Sequence, residues 1–177
     1  TKTYSGGLLI SADKESISLT RAADKAIDLS TYEDNNYKNV SAELLKKAVS
    51  ITGDNLDNEL IGGKGKDNLI GGDGDDILRG GKGNDTLWGG DGVDTFVFWA
   101  GDGNNIIMDY NFAEDDMLSI LDKNGRKDAA FTSAFDDDSL TLSVKGGGKI
   151  TLANISGQTE FNINNTTYTR QGNTLVK

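Results

Sequence analysis

The sequence predicts an all-β protein: a right-handed parallel β-roll with lead-in coils before it and an antiparallel β cap after it. Three observations predict this. Residues 62–97 repeat every nine residues without insertion. The first fifty residues hold only short β-like runs separated by polar residues. Residues 117–177 alternate polar and apolar side chains, the period of a strand with one buried face.

The repeating stretch reads GGKGKDNLI, GGDGDDILR, GGKGNDTLW, GGDGVDTFV, four units of nine. Each has glycine at places one, two and four, aspartate at place six, and a large apolar residue at place eight: Leu69, Leu78, Leu87 and Phe96. The glycines permit positive φ and close backbone approach, so the first six places form a tight turn with exposed carbonyls. The aspartate adds a carboxylate, and a flexible loop of hard oxygens suits Ca²⁺, which takes six to eight of them. With no His and no Cys in the chain, no softer ligand competes. The last three places are too few for a helix but enough for a short strand whose middle residue faces inward. Two units then make one coil of eighteen residues, and a flexible Gly/Asp linker would not need the regular apolar residue.

These units resemble the RTX (repeats-in-toxin) family, calcium-binding nonapeptide repeats near the C-terminus of bacterial proteins exported by type I secretion. The motifs cover about a fifth of the chain, and the flanks resemble the family more loosely.

Taken in order, residues 1–50 carry the runs Leu8 to Ile10, Ile17 to Leu19 and Ala26 to Leu29, which suggest wider, metal-free coils leading into the roll. Ser41 to Ala48 (SAELLKKA) sets helix formers behind a capping Ser, yet is too short to be stable alone, so a helical turn and a coil both stay open. Residues 51–110 form the roll. Its first unit, Gly53 to Ile61, is degraded, with Leu56 at place four and Asn58 at place six. After a two-residue insertion, Ala100 to Met108 fits the pattern again with Asn105 at place six. Residues 111–177 form the cap and a secretion-signal region; LTLSV, KITLANI and EFNINN read as antiparallel strands over the open end of the roll. Place nine puts Ile70 and Trp88 side by side on an outer face, and the expectation is that the cap folds over them and the roll's last edge.

Loops on one side of the roll lie eighteen residues apart, so ions belong between alternate units. The resemblance implies that each ion takes the carbonyls of places two and four and the aspartate of one loop, with places one and three and the aspartate of the loop one coil later. One implied site is Gly63, Gly65, Asp67, Gly80, Lys82 and Asp85; a second is Gly72, Gly74, Asp76, Gly89, Asp91 and Asp94. A weaker one joins Asp54, Leu56 and Asn58 to Gly71, Asp73 and Asp76. Another joins Gly81, Gly83 and Asp85 to the loop ending at Asn105. The acidic stretch with Asp109 and Glu114-Asp115-Asp116 resembles a closing segment that holds a further ion, which adds Asp109 and Asp115. The side chains of Asp73, Asp75, Asp91, Lys64, Lys66 and Lys82 read as solvated.

Composition narrows the class. With 28 acidic against 18 basic residues, a net charge of −10 argues against nucleic acid and anionic membranes as partners. No run approaches the roughly 18 apolar residues of a membrane span. Nothing has the spacing of a nucleophile elbow or a phosphate loop. A carboxylate pair for glycoside chemistry stays open. Without proline the chain cannot cleave itself at an Asp-Pro bond, as some RTX proteins do. The expectation is a non-enzymatic module, monomeric, exported by the type I machinery and located outside the cell or on its surface, that folds on binding several Ca²⁺. The alternatives are an adhesin or surface-layer module with a cell-surface or glycan partner, and an accessory domain of a secreted lipase or protease.

Overall fold

The computed structural model describes residues 2–4, 8–10, 16–19, 26–31 and 38–177, so the lead-in of residues 1–50 lies partly outside the described residues. Strands β1 (Lys2–Tyr4), β2 (Leu8–Ile10) and β3 (Ser16–Leu19) pair antiparallel, so the chain opens on a meander where coils were expected. From β3 onward it coils. Successive strands alternate between two sheets: β4 (Ala26–Asp28), β5 (Asn39–Ser41), β6 (Ser50–Thr52), β7 (Glu59–Ile61), β8 (Asn68–Asp73), β9 (Ile77–Arg79), β10 (Thr86–Asp91), β11 (Thr95–Trp99), β12 (Asn104–Ile107) and β13 (Met117–Leu121). One sheet stacks β3-β5-β7-β9-β11-β13, the other β4-β6-β8-β10-β12, every neighbour parallel.

The strands are short because glycine-rich loops interrupt them, and each coil gives one large apolar residue per sheet to the interior. Ile17, Val40, Leu60, Leu78, Phe96 and Leu118 form one column and Ile27, Ile51, Leu69, Leu87 and Ile107 the facing one, none more than 5% exposed. Fully burying side chains of this size contributes about 1.5–3 kcal/mol each. Ser41 to Ala48 forms no helix: Ala42, Leu45 and Val49 turn inward and a turn bond runs from Leu45 N–H to Ala42 O. Burying three apolar side chains outweighs the weak intrinsic helicity of eight residues.

Past β13 the chain builds β14 (Phe131–Asp136), β15 (Ser139–Val144), β16 (Lys149–Ala153), β17 (Glu160–Ile163), β18 (Thr166–Gln171) and β19 (Thr174–Val176). β14-β15-β16 is an antiparallel meander whose β16 pairs with β12, and β17-β18-β19 is another whose β17 pairs with β13. This C-terminal region therefore extends both sheets by pairing with the roll's last strands, while Ile70 and Trp88, which it was expected to fold over, are half-buried neighbours on the outer face. Phe135 and Phe161 close the core between the meanders at 5.7 Å. Two side-chain amides tie the C-terminal strands to the end of the roll. Asn164 accepts from Ile120 N–H (2.7 Å) and donates to Ile120 O (3.1 Å); Gln158 accepts from Phe112 N–H (3.0 Å) and donates to Tyr110 O (2.7 Å). The buried Tyr110 hydroxyl donates to Asp116 O and accepts from Asn162 N–H; burial raises its pKa.

Candidate metal centre

Places one to six of each unit stack on the same places one coil away. The crowding there explains the glycines. A Cβ on Gly71, at place one, would stand 2.1 Å from Asp76 Oδ2 and 2.4 Å from the Gly89 carbonyl oxygen. A Cβ on Gly83, at place four with φ 134°, would stand 1.7 Å from the Gly65 carbonyl oxygen. Place-two and place-four carbonyls thus aim forward at the next coil, and place-one carbonyls aim back at the coil before. The pairs that meet are Asp54 with Gly72, Gly63 with Gly81, Gly72 with Gly90, Gly74 with Gly92 and Gly83 with Gly103, together with Gly80 on Gly62 and Gly89 on Gly71. The backbone N–H of Lys82 donates to Gly63 O (3.0 Å) and that of Asp73 to Asp54 O (3.0 Å), while the Lys82, Asp73 and Asp91 side chains are exposed.

The place-six side chains form a ladder down the roll. Each accepts, through one oxygen, from the backbone N–H of place six one coil earlier: Asp76 from Asn58 (2.7 Å), Asp85 from Asp67 (2.8 Å) and Asp94 from Asp76 (3.0 Å). Asn105 continues it from Asp85 (3.0 Å) and Asp116 from Asp94 (2.9 Å). Asp67 accepts from Val49 N–H. Asp67, Asp76, Asp85 and Asp94 are each 1% exposed.

The second oxygen divides them. Asp67 Oδ2 accepts from Gly63 N–H within its own unit, Asp116 Oδ2 from Asn111 N–H (2.8 Å), and the Asn58 amide folds back on Asp54. The Oδ2 atoms of Asp76, Asp85 and Asp94 are buried without a hydrogen-bond partner. A buried, unpartnered carboxylate oxygen is costly, and burial pushes all three carboxyls up to about 7, with a smaller contribution from neighbouring carboxylates. Burial raises Asp67 as well, and Asp116 to about 6.

The ladder includes a residue the sequence reading passed over. Asp116, not Asp115, takes the place after Asp94; Asp115 sits exposed at φ 66° after the short 3-10 turn Phe112–Glu114. The signal was available: Asp116 precedes the buried Leu118 by two, as Asp94 precedes Phe96. Asp109 lies beside the same loop and accepts from Gly89 N–H (3.0 Å) and Gly90 N–H (3.1 Å). Asp75, expected to be merely solvated, accepts from Val93 N–H (2.9 Å) while its own N–H donates to Asp57 (3.0 Å), a second, outer ladder at place five. Asp102 was also missed: it is buried, accepts from Trp99 N–H (3.0 Å) and lies 3.9 Å from Arg79, whose guanidinium covers the Trp99 ring.

Among the described residues no three acidic side chains gather as a cage. A divalent ion here would draw one carboxylate from each loop and its other oxygens from the backbone. Three unpartnered anionic oxygens among converging carbonyls fit a hard cation such as Ca²⁺.

Residues 52–87 and 70–107 match the RTX calcium-binding nonapeptide repeat, in four copies. No curated protein matches the chain. Among solved structures, a subunit of the mannuronan C5-epimerase of Azotobacter vinelandii aligns over 65% of this chain and 70% of its own, at 25% identity and a TM-score of 0.38.

Proposed function

We propose, from the match of residues 52–107 to RTX calcium-binding nonapeptide repeats, that this chain is a module whose folding is switched on by calcium. The observation that carries the reading is the set of unpartnered buried oxygens on Asp76, Asp85 and Asp94. Without a cation these carboxylates oppose folding at neutral pH, because their charge is buried and unmatched. Bound calcium supplies the positive charge that the place-six ladder lacks. The chain's own part is to hold one oxygen of each carboxylate on a backbone N–H, aim the other between coils, and present carbonyls from places one, two and four. Binding free energy then becomes folding free energy.

The repeats are calcium-binding structural units, and we assign the chain no catalytic role. In the calcium-poor cytosol a Gly-rich, acidic segment stays unfolded and fit for export by a type I machinery; calcium outside the cell folds it, with residues 111–177 as the cap. Circular dichroism tests this directly. In chelator the roll is largely disordered, and β signal returns at roughly 10⁻⁴ to 10⁻³ M Ca²⁺, with Mg²⁺ a poor substitute because it demands octahedral geometry. Full β structure in chelator would contradict the reading.

A further inference from the structure

We infer that the two edges of the roll hold calcium with unequal affinity, and that the lysines of one edge make its site the weaker one and the last to load; the inference rests on the calcium reading above. The turns that leave the sheet of β5, β7 and β9 stack along one edge: residues 42–48, 62–67 and 80–85, joined by bonds from Lys64 N–H to Leu45 O (2.8 Å) and from Lys82 N–H to Gly63 O (3.0 Å). The returning turns, 53–58, 71–76 and 89–94, stack along the other edge, joined by bonds from Asp73 N–H to Asp54 O (3.0 Å) and from Gly74 N–H to Asp91 O (2.9 Å). The first edge exposes Lys46, Lys47, Lys64, Lys66 and Lys82 against Glu43. The second carries Asp54, Asp57, Asp73, Asp75 and Asp91 outside its ladder, and no lysine or arginine in those turns. Arg79, which leads into the 80–85 turn, is matched by the buried Asp102 at 3.9 Å and adds no free charge to the first edge.

The backbone treats the two edges alike, since both build their loops from the same glycine places and the same place-six aspartate. What differs is the side chains at places three and five. The free oxygen of Asp85 lies on the lysine edge, and those of Asp76 and Asp94 lie on the aspartate edge. Coils of a parallel roll repeat about every 4.8 Å, so the charges of successive loops stand closer together than the Debye length of about 8 Å at physiological salt and act as one field. Coulomb energy scales with the product of the charges, so a divalent ion feels that field twice over. The lysine edge therefore lowers the local concentration and the affinity of calcium, and the aspartate edge raises both. The effect belongs to the whole row, because a single exposed charge contributes little.

Two measurements on the full chain test this. In the calcium-saturated, isotope-labelled protein, calcium is withdrawn with graded chelator. The amides of Gly81, Gly83 and Asp85 should lose their calcium-bound positions at a free Ca²⁺ about tenfold higher than those of Gly72, Asp76, Gly90 and Asp94. Calcium titration followed by circular dichroism then asks whether the lysines are the cause. Lys64→Gln with Lys82→Gln should lower the midpoint about threefold, and Lys64→Arg with Lys82→Arg should restore it. The same glutamine pair placed on Asp85→Asn should leave the midpoint of that variant where it was. Lys127→Gln with Lys177→Gln, the same change of net charge on the C-terminal strands, should not move the midpoint of the parent chain. Simultaneous release of both rows, a midpoint indifferent to Lys64→Gln with Lys82→Gln, or an equal drop with the C-terminal pair would each overturn the inference. A parent chain with no calcium midpoint at all would instead overturn the calcium reading on which it rests.

Discussion

The unit at residues 62–70 and the three that follow share one motif, yet their loops differ. In the first, Gly63 and Gly65 keep φ outside the left-handed region, and Gly63 N–H satisfies the free oxygen of Asp67. In the others, Gly72, Gly74, Gly81, Gly83, Gly90 and Gly92 all have positive φ, and the aspartates keep an unpartnered oxygen. What lies one coil back accounts for this. The 62–67 loop stacks on the Ala42 to Ala48 turn, which is no nonapeptide: Cβ atoms on Gly63 and Gly65 would meet Leu45 O and Ala48 N. The 71–76 loop stacks on Asp54 and Leu56 of a degraded unit that still has the right length. The loop's state follows from what it stacks on one coil back: a nonapeptide loop, even a degraded one, or a turn of another kind.

The largest expected effect that sharpens this contrast comes from Gly71→Ala. The residue's φ is ordinary, so the cost is a methyl placed on Asp76 Oδ2 and on the Gly89 carbonyl oxygen of the next coil, and the calcium midpoint should rise about tenfold or more, as with other losses around metal ligands. Gly157→Ala, at φ 83° with nothing within 4 Å, should cost only about 1 kcal/mol in urea unfolding and leave the midpoint unchanged.

Next in size is a pH effect of opposite sign in the two states. In chelator, the carboxyls of Asp76, Asp85 and Asp94, raised from 3.8 to about 7, hold protons that the unfolded chain releases. Stability of the ion-free fold is therefore greatest below about pH 4 and is lost as pH rises toward 7. With calcium present protons compete for the same oxygens, so the midpoint should rise as pH falls. The β signal by circular dichroism in chelator and calcium titrations, each at pH 5 and 8, check both signs. A smaller effect belongs to the cap: Gln158→Ala or Asn164→Ala leaves backbone groups at the roll junction without partners and should cost about 1–3 kcal/mol in the cap's thermal unfolding. Calcium stoichiometry should be untouched.

Much of this was legible in the sequence. The nine-residue period placed Leu69, Leu78, Leu87 and Phe96 in the core and the four aspartates in loops that stack one coil apart, because both follow from periodicity alone; the hydrogen-bonded ladder between those loops was not read. Alternation gave the C-terminal strands but not where they dock, since extending an edge and covering a face demand the same pattern. Asp116 could have been read from its spacing to Leu118, whereas the pairing of Asp102 with Arg79 left no local trace. The closed state of the 62–67 loop was illegible for a physical reason: its own motif is intact, and the difference lies eighteen residues away.

The most direct test of the account is the number of calcium ions bound at saturation, counted by isothermal titration in single variants. Asp76→Asn, Asp85→Asn and Asp94→Asn keep the amide-accepting oxygen and remove the free anionic one, so each should bind fewer ions than the parent chain. Asp67→Asn should bind the parent's full number, because Asp67 already spends both oxygens on Val49 and Gly63 N–H groups. Loss of an ion in Asp67→Asn equal to that in Asp85→Asn would contradict the division of the ladder.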